Sequence, residues 1–502
     1  MTQIIKKEVI LVMSVLLLLA LGLRMYDLSS EGLWNDEAFS VHHAAETSAN
    51  AVKQNVAETE AAPFGYYLLL HYFGLIFGYG DFSMRFLSVI FSVLSIPILY
   101  LIGTRLRLSI PETLLACALM TTSMLQVLYA QEVRLYSLFT FLILLGVYFV
   151  ILAWQKNKFR YYFWYGCSLL LAVYVNYITV LLVILFSLVL LLFYKKKKSL
   201  VRRLWLAHVL VGILSLPLVP ILRQQFSHLN DGLTQALVLR HLPHFLASFG
   251  LFFYLIPVLF FLSLILFSFY FGLHKLGPWL KKKNIITSVP DWFLLGLVMI
   301  FGVLYLYVCI QPLHIFGLSV IRNPIIQSYF LIRHSFFLAP LLYVFVAVSI
   351  FKMKSKQWKV IAVVWLLLVN VIALGIYYHE PTRPQWKEAT QLIASSYSSP
   401  QKQQPLILLD SAGISNTFLL QRYYPGDFRL VKLTWDEQWD KIPVEELVKK
   451  VQGEKDFWLI LSRATVTKEY YKEILDARYE RISNDEFLGI VVYHYSAIKR
   501  KI

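Results

Sequence analysis

Residues 161–198 read YYFWYGCSLLLAVYVNYITVLLVILFSLVLLLFYKKKK. The apolar run from Tyr161 to Tyr194 exceeds one membrane span, which takes about 20 mostly apolar residues, and it ends on four lysines. It predicts two spans, 160–176 and 177–194, divided near Asn176-Tyr177, with the lysines in a charged loop. Outward from this stretch lie further apolar segments of spanning length at 9–26, 84–104, 110–128, 135–154, 203–222, 248–272, 291–311, 329–351 and 358–378. The fold class expected is therefore an α-helical polytopic membrane protein with about 11 transmembrane helices. The composition agrees, being 58% hydrophobic and 15% charged, where soluble chains run at about 45–50% and about 25%. Soluble enzymes, disordered chains and fibrous proteins are excluded.

The net charge of +17 does not mark a nucleic-acid protein. From residue 379 onward there are 18 Lys/Arg and 17 Asp/Glu, so the excess sits earlier, where 29 basic face 13 acidic residues. With Lys6 and Lys7 in the cytoplasm, 21 of those 29 fall in cytoplasmic loops of the 11-span arrangement. Positive residues concentrate on that side of a membrane. The N terminus is thus expected inside a plasma (inner) membrane, and the segment from 379 outside. The first segment reads as an uncleaved anchor, since Arg24 follows it with no clear small-x-small site. Cys117, Cys167 and Cys309 lie in apolar segments with no metal-ligand spacing, as packing residues do.

Two regions depart from a plain bundle. The first outside loop, 27–83, contains an apolar stretch, Phe64 to Phe77, too short to span and suited to an interfacial helix. The tail alternates expected strands at 405–409, 428–433, 456–462 and 488–494 with helices near 413–424, 443–452 and 466–477. That pattern predicts a small C-terminal extracytoplasmic α/β domain over 379–502, beside a transmembrane domain over 1–378.

Charge near the outer rim marks the candidate site. Asp36 and Glu37 are adjacent acids about ten residues beyond the first span. Their repulsion should raise one pKa if the site is dry, which is raw material for a general base. A cap is the other reading, with Asn35 or Asp36 capping a helix that starts at Glu37. The second outside loop holds Glu132 and Arg134, either as an interfacial ion pair or facing a polar cavity. Arg85, Arg333 and His334 lie at the same depth. Acids and arginines converging at one rim suit a lipid phosphate, which Arg grips with a bidentate fork. His42 and His43 read as a hydrated loop or helix surface rather than a metal site. Asp410 reads as structural.

At these residues the chain resembles the GT-C class of membrane glycosyltransferases, within it the bacterial members related to protein O-mannosyltransferases and to the aminoarabinose transferase that modifies lipid A. The likeness is carried by Trp34-Asn35-Asp36-Glu37-Ala38, by Pro63 to Leu94, by Tyr129 to Tyr136 as "Y-x-Q-E-x-R-x-Y", and by Arg383 to Ala389 with Trp386. It implies inverting sugar transfer on the extracytoplasmic face from a polyprenyl-phosphate donor, undecaprenyl phosphate in a bacterium. It implies Asp36, Glu37 and Glu132 as acidic catalytic positions, with Arg85 and Arg134 as basic positions; Tyr136 belongs to the matching loop motif. The acceptor is an envelope lipid, glycan or protein hydroxyl. A divalent cation serves some GT-C enzymes, and the sequence shows no dedicated metal cage. Ala62-Pro63-Phe64 departs from members with a second proline or a lysine there, and Arg333-His334 stands where many have Arg-Tyr. A polytopic lipid or polysaccharide transporter or flippase is the rival reading, and a scaffold with lapsed catalytic residues a further one. Charge at one rim rather than at the bilayer midplane counts against the transporter.

Overall fold

The structure is a computed structural model that describes residues 7–195, 197–225, 336–379, 381–396, 404–410, 414–435, 440–441, 443–462 and 467–499. The expected spans 248–272 and 291–311, and the start of 329–351, lie outside the described residues, as do Cys309, Arg333 and His334. Among the described residues, five helices are long and apolar enough to cross a membrane. They are α1 (Lys7–Met25), α5 (Asp81–Arg105), α8 (Tyr136–Lys156), the helix that begins as α11 (Lys198–Leu214) and runs on to Gln225, and α13 (Lys356–His379).

The opening stretch divides where expected. α9 (Phe159–Val175) ends before Asn176, whose side chain accepts a hydrogen bond from the Ile178 N–H (3.0 Å) and starts α10 (Ile178–Phe193). The segment 110–128 is not one straight span. It breaks into α6 (Ile110–Thr122) and α7 (Met124–Ala130), bent by 53°. Ser123 makes the break, because its hydroxyl accepts from the Gln126 N–H and caps α7. The end of α6 then has carbonyls without intrahelical partners. Arg24, fully buried in α1, supplies their donors: Nη1 bonds Thr121 O (3.1 Å), Nη2 bonds Met120 O (3.1 Å), and Nε bonds Ser92 Oγ (2.8 Å). Arg24→Met should therefore strand buried acceptors and cost about 2–4 kcal/mol. The measurement is the thermal midpoint of reconstituted protein, and an unchanged midpoint would refute this role.

α5 is the central helix, packed against α1, α6 and α8. Between α1 and α5 the chain folds into α2 (Asn35–Ala44), α3 (Ala49–Thr59) and α4 (Gly65–Phe77). α4 buries Tyr66, Tyr67, Leu70 and His71 and exposes Leu75, Ile76 and Phe77, as an interfacial helix does. Gly65 starts it because a Cβ there would collide with the Tyr174 carbonyl oxygen of α9.

After α12 (Ala339–Lys352) and α13, the chain turns into α14 (Trp386–Ser395) and an open sheet. The strands are β1 (Leu406–Leu409), β2 (Arg429–Lys432), β5 (Asp456–Ser462), β6 (Tyr479–Phe487) and β7 (Ile490–Lys499) in the order β2-β1-β5-β7-β6. β2, β1 and β5 run parallel, while β7 and β6 are antiparallel additions. β3 (Thr434–Trp435) and β4 (Asp440–Lys441) form a separate hairpin. Helices α15 (Ile414–Tyr423), α16 (Val444–Val451) and α17 (Thr467–Asp476) complete this unit. One hydrophobic core runs without interruption from Leu33 and Val41 of the first loop through Tyr67 and Tyr129 to Trp386, Ile407 and Trp458. The sheet unit is thus built onto the outer loops, not tethered beside them.

Candidate active site

Trp34 is the N-cap of α2, so the helix starts at Asn35, two residues earlier than the sequence suggests. The cause is Glu37, which sits at the third helical position. Its carboxylate reaches back to the Trp34 N–H (3.3 Å), the reciprocal half of a capping box. Neither Asn35 nor Asp36 fills the cap position. Asp36 falls in the first turn and is half-buried.

Glu37 and Asp36 are adjacent but have different surroundings. Glu37 is fully buried. Its Oε1 accepts from Arg85 Nε (2.9 Å) and the Val133 N–H (2.9 Å), and its Oε2 from Arg85 Nη2 (2.7 Å). Arg383 Nε stands 3.8 Å away. Burial alone would raise its pKa. Arg85, then Arg383, with the hydrogen bonds from Arg85 and Val133, overcome that and hold it below the ordinary glutamate range. The expectation that one acid of the pair rises is not met at Glu37, because the sequence does not reveal these arginines as its neighbours.

Arg85 is fully committed. Besides Glu37, its Nη1 donates to Leu28 O (2.9 Å) and Glu31 O (2.8 Å), and its Nη2 to Gly32 O (2.9 Å). All five of its N–H donors are therefore used, and none is left for a phosphate. Arg85 pins the start of the outer loop onto α5.

Arg134 is built differently. Its Nη1 donates to Asp36 O (3.1 Å), Ser40 Oγ (3.2 Å) and Glu60 Oε1 (3.2 Å), which ties the second outer loop to the first. Its Nε is buried with no hydrogen-bond partner. Burial favours the neutral form, but Tyr67, Glu60 and Asp36 around it push its pKa well above the usual guanidinium range. It is a permanently charged arginine with donor capacity remaining.

The rest of the second loop holds this arrangement. Glu132 is buried, and its carbonyl accepts from Ser88 Oγ (2.7 Å). Tyr136 is buried at the start of α8 with its ring 5.1 Å from Tyr129. Gln131 donates to Arg24 O and Tyr26 O and accepts from Tyr377 (2.5 Å), which joins α1 and α13. Arg383 donates to Gln131 O (2.8 Å) and pairs with Glu31 (3.2 Å). Gln131 is the Q of the Y-x-Q-E-x-R-x-Y loop, with no role assigned to it from sequence, and Glu31 and Glu60 are not singled out there at all. Glu31 and Glu60 carry no periodic or motif signal, and all three matter through contacts with partners far away in the chain.

His43 corrects a further expectation. It is 1% exposed, its ring lies 5.7 Å from Tyr67, and its Nε2 is 3.0 Å from Thr59 Oγ1. Burial, with His42 and Arg134 nearby, pushes its pKa down to about 4, so it is neutral at physiological pH. Asp410 is structural, as expected, since its Oδ1 accepts from the Ser462 N–H (3.0 Å) at the end of the neighbouring strand. Among the described residues, no group of three or more His, Cys, Asp or Glu side chains could hold a metal ion. Glu37, the nearest candidate for a second ligand beside Asp36, spends both oxygens on Arg85 and the backbone.

Residues 61–222 match the family model described as dolichyl-phosphate-mannose-protein mannosyltransferase. Among solved structures, ArnT from Cupriavidus metallidurans in the apo state superposes with a TM-score of 0.53 at 11% identity, covering 96% of this chain and 98% of that one. The oligosaccharyltransferase of Archaeoglobus fulgidus in the apo form gives a TM-score of 0.50 at 11% identity, over 100% of this chain and 76% of that one. The chain has the GT-C fold. No curated protein matches it by sequence. The GT-C likeness extends over nearly the whole chain, sheet unit included, whereas the family match covers α4 to α11. Arg85, Glu132, Arg134 and Tyr136 lie inside the matched segment, and Asp36 and Glu37 precede it. The chain, with this fold, is a multi-pass membrane protein in which the segment between α1 and α5 and the loop before α8 converge on the Asp36–Arg134 region.

Proposed function

We propose that this GT-C chain moves a sugar from a polyprenyl-phosphate donor to a hydroxyl of an envelope lipid, glycan or protein. The family model that matches residues 61–222 is named for a dolichyl-phosphate sugar donor, and the fold is that of membrane glycosyltransferases. The observation that carries the reading is Arg134. It is charged, it holds the carbonyl of Asp36, and it retains a buried, unpartnered Nε.

The chemistry follows from that placement. The acceptor oxygen forms a bond to the anomeric carbon while the bond from that carbon to the phosphate oxygen breaks. The acceptor proton goes to the Asp36 carboxylate as general base. The electron pair of the broken bond goes to the leaving phosphate, where Arg134 offsets the growing charge. A single displacement inverts the anomeric centre. Glu37 and Arg85 are positioning residues in this scheme, and Glu132 adds negative charge behind Arg383. Tyr136 shapes the same wall, and Arg333 and His334 enter as donor-binding residues on sequence grounds alone. The protein sits in the plasma membrane with its N terminus cytoplasmic, residues 1–378 forming the transmembrane catalytic domain and 379–502 the extracytoplasmic one.

The test uses reconstituted protein, a panel of radiolabelled polyprenyl-phosphate sugars and total membrane extract as acceptor. Arg134→Ala should lower transfer by about 100-fold, the scale for losing one charge-stabilising donor, with a raised donor KM. A native donor KM in that variant would remove Arg134 from the site. No transfer by the native chain from any donor would favour the transporter reading.

A further inference from the structure

The N-terminal turn of α2 is gripped from two sides. On one side, Arg134 from the loop before α8 and Ser40 of α2 itself both bond the Asp36 carbonyl, each at 3.1 Å. On the other side the contact comes from the C-terminal unit. Asn35 Nδ2 donates to Asn416 Oδ1 (2.5 Å) and approaches Ser415 Oγ (3.4 Å). Both partners are buried in the first turn of α15. Asn416 in turn donates from Nδ2 to Ser462 Oγ (3.0 Å), and the Ser462 N–H donates to Asp410 (3.0 Å). A line of polar contacts thus runs from the residue before Asp36 into the C-terminal ends of β1 and β5.

The rest of α15 strengthens the grip. Tyr423 Oη accepts from the Leu33 N–H (2.6 Å) and donates to Asp81 (2.7 Å). Arg422 bonds the same carboxylate and the Tyr79 carbonyl, each at 2.6 Å. The Phe418 ring packs 5.5 Å from His42 of α2. One helix of the sheet unit therefore fixes the start of the catalytic turn and the start of α5, the helix that carries Arg85.

We infer that Asn416 is a positioning residue for Asp36. An amide is suited to the task, since it accepts from Asn35 with one atom and donates to Ser462 with the other. Asn35 precedes Asp36 in the same helical turn, so holding the Asn35 side chain sets the rotation of that turn and the direction of the Asp36 carboxylate. On this inference, which rests on the transferase reading above, the sheet unit completes the catalytic geometry. Misplacing a reacting group by about 1 Å costs up to about 100-fold in rate.

The experiment is a double-substitution cycle in the full-length reconstituted chain. Asn416→Ala and Asn35→Ala should each lower kcat by about 10- to 100-fold and leave the donor KM essentially native. The double variant should be no slower than the slower single one, because both remove the same contact. In an Asp36→Asn background, Asn416→Ala should add nothing. A native kcat in Asn416→Ala, multiplying losses in the double variant, or an effect confined to the donor KM would each overturn the inference. Hydrogen exchange gives a readout independent of activity. Amides 35–40 should exchange faster in Asn416→Ala while those of α5 and α8 keep their native rates, and unchanged exchange at 35–40 would refute the coupling. If Asn416→Ala disturbs α5 and α8 as well, Asn35→Ala removes the same bond from the loop side. A native chain that transfers nothing would overturn the transferase reading, while the exchange result would still decide whether Asn416 holds the turn.

Discussion

Replacing Asp36 by Asn should lower sugar transfer by about 1,000-fold, within the range of about 10²–10⁴ for losing a general base, with the membrane fold intact. The substitution keeps the side-chain size and removes the negative charge together with the capacity to take a proton. Asn at position 36 leaves in place the backbone contacts that hold this turn. The Asp36 carbonyl binds Arg134 and Ser40, and its turn is tied through Asn35. In the adjacent acid the carboxylate itself is structural, since Glu37 holds Arg85 and two backbone N–H groups. Single-turnover transfer with the labelled donor separates the two roles. Near-native transfer by Asp36→Asn, in protein whose thermal midpoint matches the native chain, would sink the base assignment.

The contrast between Asp36 and Glu37 shows what the sequence could reveal and what it could not. The chain marks both acids by type and by distance from the first span, and the resemblance carries both as catalytic positions. Their difference comes from Arg85, 48 residues away from Glu37, and from the Val133 N–H, 96 residues away. No local pattern encodes contacts of that separation. The same holds for the arginines. Arg85 and Arg134 look alike in the sequence, yet one has every donor filled by carbonyls and Glu37 while the other keeps a buried Nε unpartnered.

The fold is legible where local chemistry decides it. Asn176 divides a long apolar run because its side chain competes for a backbone N–H, and that is visible from residue type. The break at Ser123 uses the same chemistry. It escapes notice because Thr121-Thr122-Ser123 interrupts hydrophobicity only slightly, and the arginine that makes the break tolerable lies in α1. β6 is missed for another reason. It is an edge strand with the polar sequence Tyr-Glu-Arg-Ile-Ser-Asn-Asp-Glu-Phe, most of it facing solvent, so neither an apolar run nor a clean alternation announces it.

Arg85→Met should destabilise the protein by about 3–5 kcal/mol, the cost of breaking a buried ion pair from one side, and should abolish transfer as a consequence. The loss has two parts. Glu37 would remain charged and fully buried without its main partner, and the carbonyls of Leu28, Glu31 and Gly32 would lose their donors. Glu37→Gln should also destabilise, since its single amide oxygen can accept from Val133 or from Trp34 but not from both, and the buried Arg85 loses its counter-charge. In the double variant Arg85→Met/Glu37→Leu the stranded carboxylate is gone. Its stability should exceed that of Arg85→Met alone, although the three carbonyls stay unpaired. The pair also has a pH signature. The folded-state pKa of Glu37 is depressed, so its contribution is fully present above the unfolded glutamate value of about 4.3 and is lost as pH falls through the lower, folded-state value. Thermal midpoints of reconstituted protein between neutral and acidic pH should show that loss in the native chain and a flatter profile in Glu37→Gln. Identical profiles would mean that Glu37 is not the group whose protonation loosens the outer loops.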